Sequence, residues 1–69
     1  MNITIWDLLI IIKDIKPTFC VFKNGTFINA FTYEGLATNN AVNQLFVKNI
    51  HTQYGDGHTI YVIDCEGIL

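Results

Sequence analysis

The chain is 69 residues long, 51% hydrophobic and only 14% charged, with four Lys and no Arg set against six acidic residues. That length supports one domain, 1–69, which buries only ~60% of the surface its unfolded chain exposes, so an excess of apolar side chains is left over. A net charge of -2 gives neither the clustered cations that phosphate binding requires nor the Arg fork that reads bases, and no nucleic-acid partner is expected.

Leu8-Leu9-Ile10-Ile11-Ile12 falls far short of the ~20 residues needed to cross a bilayer, and Asp7, Lys13 and Asp14 bound it, so no membrane association is expected. Met1-Asn2-Ile3-Thr4 has neither the cationic start nor the cleavage site of a secretion signal, and a cytoplasmic location is expected. Cys20 and Cys65 are then expected to be reduced, partly buried thiols rather than a bridge.

Thr4 with Asp7 three residues on predicts a capped helix from about Ile5 to Ile15. At 100° per residue, Ile5, Leu8, Leu9, Ile12 and Ile15 share its core face. Trp6 and Ile10 fall elsewhere, on the arc between Lys13 and Asp7, as candidates for an apolar docking patch. Pro17 ends the helix, because it lacks the amide hydrogen and pushes the residue before it out of helical geometry.

Asn24-Gly25 between Phe19-Cys20-Val21-Phe22-Lys23 and Thr26-Phe27-Ile28-Asn29-Ala30-Phe31 predicts a β-hairpin, since both turn positions tolerate positive φ. Two registers are open. A two-residue loop sets Phe22 with Phe27 and Cys20 with Asn29 on one side, and Val21 with Ile28 and Phe19 with Ala30 on the other. A three-residue loop with a glycine bulge groups Phe19, Val21, Phe27 and Phe31 against Cys20, Phe22, Ile28 and Ala30. Both leave two apolar faces, which predicts that a partner covers one of them.

Tyr33-Glu34-Gly35 predicts a strand break, and Thr38-Asn39-Asn40 the cap of a short helix through about Phe46, pinned by Val42, Leu45 and Phe46. Val47–Tyr54 reads as a strand, Gly55-Asp56-Gly57 as a turn and His58–Asp64 as the last strand, although helix could instead run on to Ile50. The expected fold class is α+β in the order α-β-β-α-β-β, an antiparallel sheet with helices on one face.

The chemistry-bearing residues are few. Two Cys and two His could close a tetrahedral zinc site, but His58 and Cys65 lie about 23 Å apart on one predicted strand at 3.3 Å per residue. Cys20 or Cys65 with His51 or His58 is the available nucleophile–base pairing, on a chain with little room for a pocket. Asp56, His58, Asp64 and Glu66 do not follow the spacing of a calcium loop. Neither an enzyme nor a cofactor is expected.

The whole pattern, a capped helix, a "KNG" hairpin, a short helix and a closing hairpin ending "TIYVID", resembles small phage and prophage proteins of low-GC Gram-positive bacteria. Seven Asn and no Arg suit an AT-rich coding sequence. The resemblance implies an accessory protein that inhibits a host or defence factor by binding, and it carries over no functional residue.

The expected function is therefore non-enzymatic protein binding, with a dimer or other homo-oligomer, a host protein, or both as partner. Trp6, Ile10, Phe22, Phe27, Phe31, Tyr33 and Tyr54 are the candidate contact residues, because aromatic anchors dominate interface energetics. The alternative is a small-molecule sponge or sensor whose site lies at a dimer seam and draws on Asn29, His51 and Asp64.

Overall fold

The structure is a computed structural model that describes residues 3–12 and 16–66. Helix α1 (Ile5–Ile11) opens on the expected capping box: the Thr4 amide donates to Asp7 Oδ2 at 3.0 Å and the Asp7 amide donates to Thr4 Oγ1 at 3.2 Å. It buries Ile5, Leu8 and Leu9. The helix ends earlier than expected, with Ile12 already extended as its C-cap. Three successive β-branched isoleucines lose rotamer freedom in a helix, and no residue suited to a left-handed cap follows them. Ile12 still packs against the core, whereas Ile15 lies outside the described residues. Thr4→Ala is expected to lower the unfolding free energy by about 1 kcal/mol and Thr4→Ser by much less, read from urea midpoints.

Strands β1 (Thr18–Lys23) and β2 (Thr26–Thr32) form the expected hairpin. Asn24 and Gly25 take φ of +52° and +84°, the two-residue loop whose twist matches that of the strands. Phe22 faces Phe27, as that loop requires, and their rings meet edge to face at 5.3 Å. A bulge then absorbs Ile28, so that Val21 pairs with Asn29, Cys20 with Ala30 and Phe19 with Phe31. Neither of the two open registers holds along the whole hairpin.

Thr32 does more than end β2. Its hydroxyl accepts from the Gly35 amide at 3.0 Å and caps helix α2 (Tyr33–Ala37), where the sequence predicts only a break. Asn39 caps helix α3 (Asn40–Asn43). That helix stops short of Phe46, and strand β3 (Phe46–Gly55) begins there instead, turning at Asp56 and Gly57, with φ of +53° and +76°, into strand β4 (His58–Glu66). The element order is thus α-β-β-α-α-β-β.

The sheet order is β2-β1-β4-β3, and the two central strands are parallel. This corrects the expected antiparallel sheet to a mixed one within the α+β class. Each tight turn dictates antiparallel pairing inside its own hairpin, but says nothing about how the hairpins join. They join through their most apolar strands, β1 and β4, which run in the same direction. At the outer edge of β3 the chain start adds a short rung, with the Val47 amide donating to the Ile3 carbonyl at 2.7 Å and the Ile5 amide to the Leu45 carbonyl at 3.1 Å.

Side chains alternate across a strand, and the register sorts them. Phe19 and Val21 of β1 and Ile63 and Cys65 of β4 share one face and are fully buried beneath Ile5, Leu8 and Leu9 of α1, Leu36 of α2, Val42 of α3 and Leu45. All three described helices therefore lie on one face. Phe19 anchors this layer, stacked on Tyr61 at 5.3 Å and tilted against Tyr33 at 6.3 Å. Asn43 is the one fully buried polar residue among those described; its Nδ2 donates to the carbonyls of Leu36 and Ala37 at 3.1 and 3.2 Å. No described buried side-chain nitrogen or oxygen lacks a partner.

Candidate functional site

No described helix lies over the other face of the sheet, and strand register lays its side chains out in three rows. From β2 to β3 these are Phe27, Phe22, Asp64 and Asn49, then Ala30, Cys20, Val62 and His51, then Thr32, Thr18, Ile60 and Gln53. None of the twelve is buried. Three columns are mostly apolar and the β3 column is polar, so the face divides into an oily field and a wet margin. Within the rows Asp64 is the single carboxylate, and its Oδ1 accepts from the Gly25 amide at 3.3 Å. With the Asn24 amide donating to the Cys65 carbonyl at 2.9 Å, this ties the first turn to β4 and steadies the Phe22 and Phe27 end.

The seven residues expected to make contacts do not form one surface. Phe22 and Phe27 stand together on the open face, with Phe27 half exposed. Trp6 and Ile10 are exposed on α1 at 44% and 59%, on the opposite side of the molecule from the open face. Phe31 points to the helix side and packs against the core. Tyr33 donates its hydroxyl to the Leu9 carbonyl at 2.8 Å, clamping α2 to the last turn of α1. Tyr54, 84% exposed, sits beside the second turn.

Cys20, Ala30, Ile60 and Val62 complete the open face, and sequence reasoning did not select them. The alternation in Ile60-Tyr61-Val62-Ile63-Asp64 signals two faces, yet which one turns toward Phe22 depends on the parallel pairing with β1.

A shallow hollow of about 310 Å³ on this face is lined by Phe22, Gly25, Asn49, His51, Val62 and Asp64. His51 and Asp64 share it, but Asn29 pairs with Val21 on the helix side and its Oδ1 accepts from the Ala30 amide, so the three polar residues named for a ligand site do not converge. A second depression is lined by Pro17, Thr18, Thr32, Tyr33, Glu34 and His58, and bordered by Ile12 and Lys16 on either side of residues 13–15, which are outside the described set.

Cys20 and His51 occupy the same row two strands apart, roughly 10 Å at about 4.8 Å per strand, beyond hydrogen-bond reach. Among the described residues no three of His, Cys, Asp and Glu gather as metal ligands. No described helix is long and apolar enough to cross a membrane.

The two thiols differ by face. Cys65 is buried on the helix side, and desolvation, with the Asp64 carboxylate second, pushes its pKa from 9.0 to about 11. Cys20 is half-buried on the open face, and neither is in a disulfide. At pH 8, in protein dilute enough to be monomeric, a maleimide is expected to label Cys20 in the folded chain and Cys65 only after unfolding, which peptide mass spectrometry resolves. Because the folded state holds the Cys65 proton more tightly, this thiol's contribution to stability is intact below pH 9 and is lost as the pH rises toward 11. A denaturation series in Cys65→Ala should lack that alkaline decline.

Comparison of the chain with protein-family models, curated proteins and solved structures finds no match in any of the three.

Proposed function

We propose that the chain is a non-enzymatic protein-binding module that self-associates, with a second copy seated on the uncovered face of its sheet. The observation that supports this is the one-sided helix layer, which leaves Phe27 and Ala30 exposed and Phe22, Cys20, Val62 and Ile60 only partly buried. A solvated sheet face ordinarily alternates to polar residues.

Four strands by about six residues span roughly 19 by 20 Å, about 400 Å² in projection before side-chain relief is added. That projection falls short of the about 600 Å² per partner at the lower end of specific interfaces, so the whole face, with its side-chain relief, has to engage. With one carboxylate in the rows and no lysine, the face has no charge pattern to select a foreign surface. An apolar field with a polar margin is itself a fitting counterpart.

Light scattering should give a mass that rises with concentration toward twice 7.8 kDa. Phe27→Lys, on an edge strand, is expected to keep the circular dichroism of the wild type and to weaken the dimer at least tenfold, since a desolvated lysine costs well over 1.4 kcal/mol. Trp6→Ala, on the helix side, should leave association unchanged. A wild-type monomer at every concentration overturns self-association and leaves the face to a foreign protein. A Phe27→Lys dimer of undiminished affinity removes the face from the interface.

A further inference from the structure

We infer that, if the open face docks a second copy as proposed above, the two sheets stack across a two-fold axis that lies in the interface, perpendicular to the strands, and passes beside Cys20. The inference rests on how side-chain size is distributed over the three rows. The first row is tall on its apolar side, with Phe27 and Phe22. The third is low there, with Thr32 and Thr18. The middle is lowest, with Ala30 and Cys20 side by side.

An isologous contact must fit a surface to itself, and two in-plane axes preserve the strand direction as a line. An axis along the strands reverses the columns and lays Phe27 and Phe22 over Asn49 and Asp64 of the second copy. That sets the polar β3 column, Asn49, His51 and Gln53, against the apolar β2 column of the second copy along its whole length. An axis across the strands keeps each column over its own counterpart and exchanges the first row with the third.

In the second arrangement Phe27 and Phe22 meet Thr32 and Thr18 of the second copy, large against small, and the polar β3 columns share one margin. Asp64 then lies over Ile60 of the second copy, next to that margin and at the row end, where sheets aligned at about −30° diverge and admit water. The middle row is its own counterpart. Cys20 of one copy then faces Cys20 of the other.

Face-packed sheets stand about 10 Å apart, too far for a disulfide, whose Cα atoms lie 4.4–6.8 Å apart, but each facing thiol projects roughly 2–3 Å toward the other and leaves a gap of about 5 Å that a very short bifunctional thiol reagent spans. Treating the wild-type protein, at a concentration where the copies exchange, with a bis-methanethiosulfonate of about 5 Å reach is expected to give a covalent dimer. The dimer should be lost in Cys20→Ser and kept in Cys65→Ala. A third variant, Cys20→Ser with Tyr54→Cys, places a thiol at a highly exposed site far from the axis and should not cross-link.

Circular dichroism confirms that each variant is folded, and light scattering that each associates. Association without Cys20 cross-linking overturns this geometry while the docking function stands. Absence of association overturns both. Equal cross-linking through the Tyr54→Cys site marks the product as collisional and also overturns the geometry.

Discussion

Phe19→Ala is expected to abolish the cooperative unfolding transition. Phe19 is fully buried at the centre of the helix-covered face, stacked on Tyr61 and in contact range of Tyr33. Truncating such a ring removes its transfer free energy and leaves a cavity, about 3–5 kcal/mol, and the aromatic pairing is lost in addition. A core in a chain of this size rarely supplies more than roughly 3–5 kcal/mol in all. The variant should therefore show no pre-transition baseline in urea, whereas Phe19→Leu, which keeps most of the volume, should unfold cooperatively with a loss near 1.5 kcal/mol. Phe27→Ala on the open face is the counter-case. That ring is half exposed, so the expected loss is well below that of Phe19→Ala. A Phe27→Ala variant as unstable as Phe19→Ala would mean the open face is structural core.

Asn43→Leu is expected to cost about 2–3 kcal/mol despite its similar volume and greater hydrophobicity. The amide of Asn43 is a cross-brace: its Nδ2 donates to the Leu36 and Ala37 carbonyls at the end of α2 while its own backbone belongs to α3. Leucine leaves the Ala37 and Leu36 carbonyls without this donor. Asn43→Asp should be worse near neutral pH, because a carboxylate would face two carbonyl oxygens with nothing to donate.

The sign of its pH response follows. Burial raises the carboxyl pKa in the folded state, so stability is retained below the unfolded value of about 3.9 and lost as pH rises through the folded one. Chemical denaturation of Asn43→Asp at pH 4 and pH 7 should find the acid condition closer to wild type. Equal stability at both would show that the carboxyl reaches water.

Much of the fold was legible locally. The Thr4 and Asp7 cap, the Asn24-Gly25 turn and the Asp56-Gly57 turn each depend on residues within three positions of one another, and backbone sterics or a single side-chain bond decides them. The end of α1 and the conversion of Tyr33–Ala37 into helix were less legible. In the first case propensity competes with the apolar stripe of a longer helix; in the second a threonine cap and the Tyr33 hydrogen bond to α1 outweigh a glycine. The bulge at Ile28 was invisible, because both registers of the hairpin satisfy its turn.

The candidate site was half legible. Aromatic side chains can be picked from a sequence, and Phe22 and Phe27 do meet on the open face. Phe31, equally aromatic and four residues from Phe27, faces the other way, because the bulge resets the alternation.

What the sequence determined by itself is the set of local elements and the surplus of apolar side chains over what so short a chain can enclose. Where that surplus lies was decided only when β4 came to rest parallel to β1. That pairing joins residues some forty positions apart and assigns Ile63 and Cys65 to the helices, Val62 and Ile60 to the open side. No turn or cap encodes it; it is selected by the burial of both apolar strands at the centre of one sheet.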